Sequence, residues 1–522
     1  MPRAKLKPLS FTTTLRNPDR IAAFLKVLAE VENRILTKDI AFGVAKRLIA
    51  EKLYTPLYVG RNSRLKEINN SDDANFADKD VNEIFDNSPQ NHKEAGFDKG
   101  WASRFDTWYK FPMELGFCFY EMGKPILLSN TGHMLIDAYN EETPNGDKIQ
   151  AVFLNAFIKY QTNNPFRKIL NENAPLVLLL QVIKLLKDDN DENGAGIARR
   201  ELPLIICSPD NDAQKIYSII KDLRSKYGFN YSDDIIYDIC FDMLGGIRGK
   251  DEKYLKKDKI TKEAVDDFLR KVRITGIVSL RGAGRFVDFN TFEQAKIDYI
   301  LENYIAYEKH ETREDYFKYM GQIDSHILEF EQAPINKVEN VRQTALVSWA
   351  NHYSKADIDR ELKVLSGKGR SNDEILKEIN EPTRFEFLTA IALKQSYPTI
   401  EVHPNYKVDD EGFPTFTASG GMSDIVCYDN ESRSLFEVTL MRGKVQATNE
   451  IPAITRHILD EQIKEPNKIV FSVFIAPNIH FNTKYMIEFS KYRDKVDIIP
   501  LTIGDFVSKR NKHIKISEYL EN

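Results

Sequence analysis

The spacing of apolar positions changes period several times along this chain, and the changes divide it. After an Asn17-Pro18-Asp19 start, Leu25, Leu28, Val31 and Ile35 recur at helical spacing, and Ile40, Val44, Leu48 and Ile49 predict a second helix. Residues 69–99 are polar and rich in Asp and Asn. Two apolar runs, Met113–Tyr120 and Ile126–Leu128, flank Glu-Met-Gly-Lys-Pro and lead at once into a helix start at Ser129-Asn-Thr-Gly. A hairpin followed by a helix in this way predicts the wing of a winged-helix module. The arrangement recurs further on. Pro175–Lys187 reads as a strongly apolar helix, further helices start at Ala198 and Asp212, and Val272–Leu280 and Phe286–Phe289 flank the turn Arg281-Gly-Ala-Gly-Arg285.

From 291 to about 380 the pattern is helical and highly charged, with Ala295–Leu301 and Ile358–Leu365 as amphipathic pieces and Ser366–Asp373 as the point expected to flex. The remainder alternates between periods. It predicts a helix around Glu386, a hairpin from Asp424 to Thr439, a helix from near Pro452, strand Ile469–Ile475, helix Thr483–Tyr492 and strand Val496–Leu501. The expected division is therefore 1–150 and 151–300 as two winged-helix-like subdomains, 301–380 as a helical connector and 381–522 as an α/β domain. At 522 residues the chain exceeds what one core holds.

Composition changes this picture little. Hydrophobic residues make up 42% and aromatics 11%, and no apolar run is long enough for a membrane span. The four cysteines, Cys118, Cys207, Cys240 and Cys427, lack paired spacing and read as reduced core residues, against structural zinc. Net charge is −5, but residues 1–70 hold 14 Lys and Arg against 6 Asp and Glu, a net of +8, while 71–100 hold 3 against 8, a net of −5. A basic head attracts phosphates. Lys5, Lys7, Arg16, Arg20, Arg281 and Arg285 are the candidate phosphate contacts, with a solvated surface as the plainer alternative for each.

The chemistry concentrates after 380. Asp424 opens one β-type run and Glu437 lies inside the next, so the hairpin brings two carboxylates together near its open end. Such a pair suits Mg²⁺, a hard cation that takes oxygen ligands and keeps several waters. Asp-x12-Glu-x-Thr follows the spacing of restriction-type nucleases, except that Thr439 stands where those enzymes carry lysine. An Asp and a Glu on a hairpin also describe an ordinary solvated strand end. The flanks add Glu386 on an amphipathic helix, and Glu450 with His457, seven residues apart and on one face of a helix starting near Pro452.

Phe-Glu-Phe-Leu at 385–388, the Asp424 to Glu437 interval, Glu450, Thr-Arg-His at 455–457, Phe-Ile-Ala-Pro at 474–477 and Ile-Ile-Pro-Leu at 498–501 together resemble the AlwI-type group of type IIS restriction endonucleases and their strand-nicking relatives. The amino end, with Phe11–Arg20, is similar too. The resemblance implies a multidomain α/β protein whose helical, winged-helix-like region reads DNA and whose C-terminal PD-(D/E)xK-like domain cuts it. It implies a short asymmetric duplex site, Mg²⁺-dependent hydrolysis a few base pairs outside that site, and 5′-phosphate and 3′-hydroxyl ends. On this reading Asp424, Glu437 and the backbone at Val438 hold the metal, Glu386 and Glu450 bind its waters or a second ion, and His457 contacts phosphate or moves protons. Arg442, Lys444 or a second ion replaces the missing lysine. Expected partners are double-stranded DNA and, for the second strand, a transient homodimer or a partner nuclease subunit, in a bacterial cytoplasm that also holds a cognate DNA methyltransferase. A nicking enzyme, a heterodimer subunit, a repair or transposon-associated cutter and a non-catalytic DNA-binding regulator are the alternatives.

Overall fold

The computed structural model describes residues 15, 17–141, 144–189, 196–244, 256–331, 333–367, 369–513 and 515–521. The chain forms two compact units: Met1–Asn69 with Asn75–Tyr139 and Asp147–Gln332, and Asn70–Ala74 with Asn140–Gly146 and Ala333–Asn522. Helices and β-sheet occur in both. None of the described helices is long and apolar enough to cross a membrane.

The first unit is mostly helical. Its opening helix spans Ile21–Ala29, shorter than the Leu25–Ile35 spacing predicts, because Asn33 adopts a left-handed φ of 64° and its N–H turns to the Ile126 carbonyl at 2.8 Å. Ile35 then forms a β-bridge with Pro125 and is exposed. Lys38–Ala50 is capped by the Thr37 hydroxyl, which accepts the Ile40 N–H at 3.3 Å. It packs on Trp101–Glu114, a helix that absorbs the start of the run read as Met113–Tyr120, so the paired strands are only Cys118–Phe119 and Leu127–Leu128. Asn130–Asn140 follows as a helix, in the expected order. Asp78–Asp86 is helical inside the polar stretch, burying Val81, Ile84 and Phe85. Later in the unit, Ile197–Ala198, Phe286–Phe289 and Val278–Arg281 form a three-stranded antiparallel sheet. Its hairpin tip needs glycine, because Gly282, Ala283 and Gly284 all have positive φ.

The second unit is built on a five-stranded mixed sheet. Its strands are β1 (Glu401–Pro404), β4 (Ile425–Tyr428), β5 (Ser432–Val438), β6 (Ile469–Ala476) and β7 (Ile498–Thr502), in the order β7-β6-β5-β4-β1. Lys407–Val408 and Pro414–Phe416 are β2 and β3, a separate small ladder. β4 and β5 are antiparallel, while β5, β6 and β7 run parallel. The internal strand β6, paired on both edges, is buried for seven of its eight residues, as a parallel strand covered on both sides must be. Alternation along β5 decides which side each residue serves. Leu435 joins Ile451, Ile454, Ile458, Phe474 and Ile487 in one core, and Phe436 meets Phe506 and Tyr519 with ring centroids 6.4 and 5.8 Å away.

Around the sheet lie α1 (Ile335–His352), α2 (Lys355–Ser366), α3 (Glu381–Ser396), α4 (Val445–Asn449), α5 (Ile451–Lys464), α6 (Phe481–Asp494) and α7 (Ile503–Arg510). α1 and α2 pack on α3, so this part of the expected connector belongs to the second unit. In the stretch expected to flex, residues on either side of 368, which lies outside the described residues, make hydrogen bonds. The N–H groups of Gly367 and Gly369 donate to the Val364 carbonyl at 3.2 and 3.1 Å, and the Asp373 carboxylate takes the N–H groups of Ile375 and Leu376 at 2.8 Å. All four cysteines are buried and unpaired.

Candidate active site

Register sets the first pair of acids opposite each other. Phe436 pairs with Ile425 across β4 and β5, so the next step along the ladder sets Glu437 against Asp424. The two are cross-tied: the Asp424 carboxylate accepts the Val438 N–H at 2.7 Å, and the Glu437 carboxylate accepts the Asp424 N–H at 3.3 Å. Asn405, just past β1, steadies the entry to β4, its N–H donating to the Asp424 carbonyl at 2.8 Å and its side-chain amide to the Ser423 carbonyl at 2.7 Å.

Two helices supply the rest. α3 starts on an Asn380 side chain that accepts the Thr383 N–H, has Pro382 in its first turn, and is buried from Thr383 to Leu393, which fixes Glu386 within the core. The Glu386 carboxylate is 4% exposed and accepts the Ala418 N–H at 2.9 Å. α5 begins with Pro452 and carries His457, whose Nδ1 lies 2.9 Å from the second oxygen of Glu437, while its Nε2 is buried with no hydrogen-bond partner among the described residues. Glu450 caps the same helix and is hydrogen-bonded by the Thr439 hydroxyl. Thr439, in the lysine position, thus engages an acid, and its own N–H donates to the Ile475 carbonyl at 3.0 Å.

Four carboxyl groups therefore share one region. Burial pushes the Asp424 carboxyl well up, and the charges of Glu386, Glu437 and Glu450 push it further, against the Val438 hydrogen bond. Burial raises Glu386 likewise, opposed by the Ala418 N–H and reinforced by Glu437. Glu450 is pushed up to about 7 by burial, with the Thr439 hydrogen bond opposing and the Glu437 charge adding. The groups that act most strongly on these three acids include no lysine or arginine. Crowded like charges without a resident cation form the donor set a hard divalent ion would neutralise. Among the described residues no group of three His, Cys, Asp or Glu side chains is already gathered around a metal-sized space. The donor chemistry fits Mg²⁺, although Glu437 is engaged by His457 and the Asp424 N–H.

Other predicted positions fall elsewhere. Arg442 donates to the Ser366 carbonyl, and the Lys444 side chain is exposed. Arg20 donates to the Leu53 carbonyl at 2.6 Å and lies over Phe24. Arg281 is tied to Asp288 of its own hairpin at 2.8 Å, and Arg285, exposed, folds back on the Gly282 carbonyl at 3.0 Å. Lys5, Lys7 and Arg16 lie outside the described residues.

The AlwI restriction endonuclease family model matches residues 113–381 and 348–508. The chain belongs to this family. It is a restriction endonuclease, a hydrolase that binds and cuts DNA. No curated protein matches it. Similar solved structures include the small subunit of the heterodimeric restriction endonuclease R.BspD6I (25% identity, 32% of this chain and 84% of that one, TM-score 0.26). They also include the BpuJ1 endonuclease binding domain (12% identity, 61% and 97%, TM-score 0.35) and the restriction endonuclease FokI (10% identity, 99% and 98%, TM-score 0.25).

In this AlwI-family endonuclease one frame around the acids escapes sequence reasoning. Gln446 is fully buried, its amide donating to the carbonyls of Met441 and Asn478 at 2.8 Å and its oxygen accepting the His480 N–H at 3.0 Å and the Thr483 hydroxyl at 3.1 Å. It joins the loop that leads from β5 to Glu450 with the loop that leads into α6. A lone Gln in a polar turn gives no signal of this, because three of its four partners, Asn478, His480 and Thr483, lie 32 to 37 residues away.

Proposed function

We propose that this restriction endonuclease is a type IIS enzyme that reads a short asymmetric duplex site with its first unit and hydrolyses phosphodiesters a few base pairs away with the PD-(D/E)xK-like second unit. The observation that carries the reading is the convergence of Glu386, Asp424, Glu437 and Glu450 near the open end of one hairpin, where the groups acting most strongly on Glu386, Asp424 and Glu450 include no lysine or arginine. In this reading Asp424 and Glu437, with the backbone at Val438, hold Mg²⁺, and Glu386 and Glu450 hold its waters. Bound there, the ion polarises the scissile phosphoryl group and lowers the pKa of the attacking water.

The chain's own groups do the rest. His457 Nδ1 fixes the rotamer of Glu437, and its unpartnered Nε2 is left to accept or donate a proton at the phosphate. Thr439 holds Glu450, which takes up the proton released by the attacking water. The hydroxide attacks the phosphorus in line with the 3′ oxygen, the P–O3′ bond breaks, and 5′-phosphate and 3′-hydroxyl ends result. We assign recognition to winged-helix-like subdomains at 1–150 and 151–300, with Arg20, Arg281 and Arg285 as candidate contacts, and a cognate methyltransferase to the same cell. One catalytic set per chain favours a second reading beside the first: a nicking enzyme, or one subunit of a pair.

Digestion of supercoiled plasmid with and without Mg²⁺, with every cut mapped, is the test. Cuts at a fixed offset from one asymmetric sequence, abolished by EDTA, are expected. Metal-independent or randomly placed cutting would sink the reading.

A further inference from the structure

In the first unit, the loop between the helices Ala213–Tyr227 and Asp233–Met243 turns aromatic rings outward. Residues 225–230 are exposed without a break, and among them Phe229 is 48% exposed. The ring is held in place. Gly228, with φ +59°, turns the chain out of the helix, its N–H donating to the Arg224 carbonyl at 2.8 Å. Phe229 then meets Phe286 edge to face, with ring centroids 5.2 Å apart, and the Arg224 guanidinium lies 4.9 Å from its centroid. Arg224 is buried and gripped by buried Glu201, its Nε and Nη2 donating to the two carboxylate oxygens at 2.9 and 2.7 Å. Glu201 also accepts the Tyr231 hydroxyl at 2.7 Å, so one carboxylate fastens the chain on both sides of Phe229. The segment that carries Glu201 fastens the hairpin tip too. Ile197 and Ala198 pair with Val287 and Phe286, and the Arg199 N–H donates to the Arg285 carbonyl at 2.8 Å. Two loops are therefore fixed side by side, joined where Phe229 meets Phe286. Each carries a cation, Lys226 on one and Arg285 on the other, and among the described residues neither pairs with a carboxylate.

We propose that this patch is a DNA contact in which Phe229 stacks its ring on a base step of the bound duplex while Arg285 and Lys226 meet the flanking phosphates. The inference rests on the reading in which the first unit recognises the duplex. Charge decides for DNA over a protein partner: the patch offers two unpaired cations around little apolar area, whereas a stable protein interface covers about 800 Å² per partner. Stiffness gives the ring its use. A ring fixed in advance by a buried ion pair loses little freedom on binding, so its stacking counts nearly in full. Opening a step costs least where the bases stack weakly. Phe229 thereby adds selectivity at a position where it makes no hydrogen bond.

The experiment uses the full-length chain and a duplex taken from the mapped plasmid cuts, in EDTA so that cutting cannot alter the DNA. Phe229→Ala should weaken binding about tenfold and leave the slope of log Kd against log salt unchanged, because a stacked ring releases no counterions. Arg285→Ala and Lys226→Ala should each lower that slope by about one. 2-Aminopurine placed in turn at each position of the duplex should brighten at one step with the wild type and at none with Phe229→Ala. Phe229→Tyr, which keeps the ring, should match the wild type in both readouts. Wild-type affinity in Phe229→Ala overturns the proposal, as does a wild type that brightens no step. If the alanine variant melts lower, Phe229→Leu decides, since it keeps apolar cover over Phe286 and has no ring to stack: affinity as low as that of the alanine variant supports the proposal, and wild-type affinity overturns it. Failure of the recognition reading looks different. The wild type then binds the mapped and a scrambled duplex alike, while the salt slopes and the brightened step still report whether this patch touches DNA.

Discussion

Glu437 uses both carboxylate oxygens at the site, holding the Asp424 N–H with one and His457 with the other, and a change there separates charge from shape. Glu437→Gln keeps the size and the contact to the Asp424 N–H and removes the negative charge, and Asp424→Asn does the same across the ladder. Each should lower cleavage by on the order of a thousandfold, while gel-shift affinity for the site stays the same or tightens, since one repulsion from phosphate is gone. Cutting at near wild-type rate by either variant would move the centre elsewhere. At this scale the sequence makes the acids legible for a local reason. A four-residue strand, a tight turn and a seven-residue strand leave one register that buries both apolar faces, and that register sets Asp424 against Glu437. The hydrogen bonds Ala418 N–H to Glu386 and Thr439 to Glu450 depend on how α3 and α5 pack, which no local pattern encodes.

The elements that hold the site are themselves joined by buried charge. Arg510, at the end of α7, is 2% exposed; its guanidinium reaches Asp359 of α2 at 3.0 Å, the Ala392 carbonyl and the Ser396 hydroxyl of α3 at 3.3 and 3.2 Å, and the Lys355 carbonyl at 3.2 Å. Arg510→Met would strand these partners, a cost of about 3–5 kcal/mol, read as a lower urea midpoint at unchanged slope; a midpoint equal to wild type would refute the role. A second tie joins α1 to β1. His403 Nδ1 lies 3.1 Å from Glu339, with Arg342 and Gln343 also on Glu339 and Glu401 at 3.5 Å from His403. The hydrogen bond from His403 holds the Glu339 carboxyl down at about 2, and Glu339 in turn raises His403. The carboxylate contributes stability above its usual 4.5 that is lost as pH falls through about 2, and the imidazolium contributes below its usual 6.5 and loses it as pH rises through the raised value. His403→Gln should therefore lower the melting midpoint most between those two usual values and least at pH 9; an equal loss at both pH values would count against the pair. β6, a continuous apolar run of strand length, is legible in sequence. Trp101–Glu114, which carries an internal proline and aromatics on several faces, and β1, which has four residues, are set by the tertiary packing around them.

Across the whole molecule the two units are not simple halves of the chain. Asn70–Ala74, deep in the N-terminal half, belongs to the second unit. There the Asp73 carboxylate accepts the Lys444 N–H at 2.7 Å and meets His480 Nε2 at 3.0 Å, on the two loops that Gln446 joins. Gly443 is required at this contact, because its φ is +72° and a Cβ built there would lie 2.6 Å from an Asp73 oxygen and 3.0 Å from the Asp72 side chain. Composition hides this arrangement, since Asp72 and Asp73 read as part of a solvated acidic stretch. A fragment of residues 333–522 retains the four acids but loses Asp73, leaving the Lys444 N–H and His480 without that partner at a cost of about 1–3 kcal/mol. The fragment should cut without sequence choice and melt below the same unit in the full chain. Gly443→Ala separates the contact from the rest. In the full chain it adds left-handed backbone strain and a clash with Asp72 and Asp73; in the fragment only the strain remains. The drop in melting midpoint should therefore be clearly larger in the full chain than in the fragment. Equal drops would mean that the 70–74 segment does not brace the loop before Glu450, and site-specific binding by the fragment would overturn the assignment of recognition to the first unit.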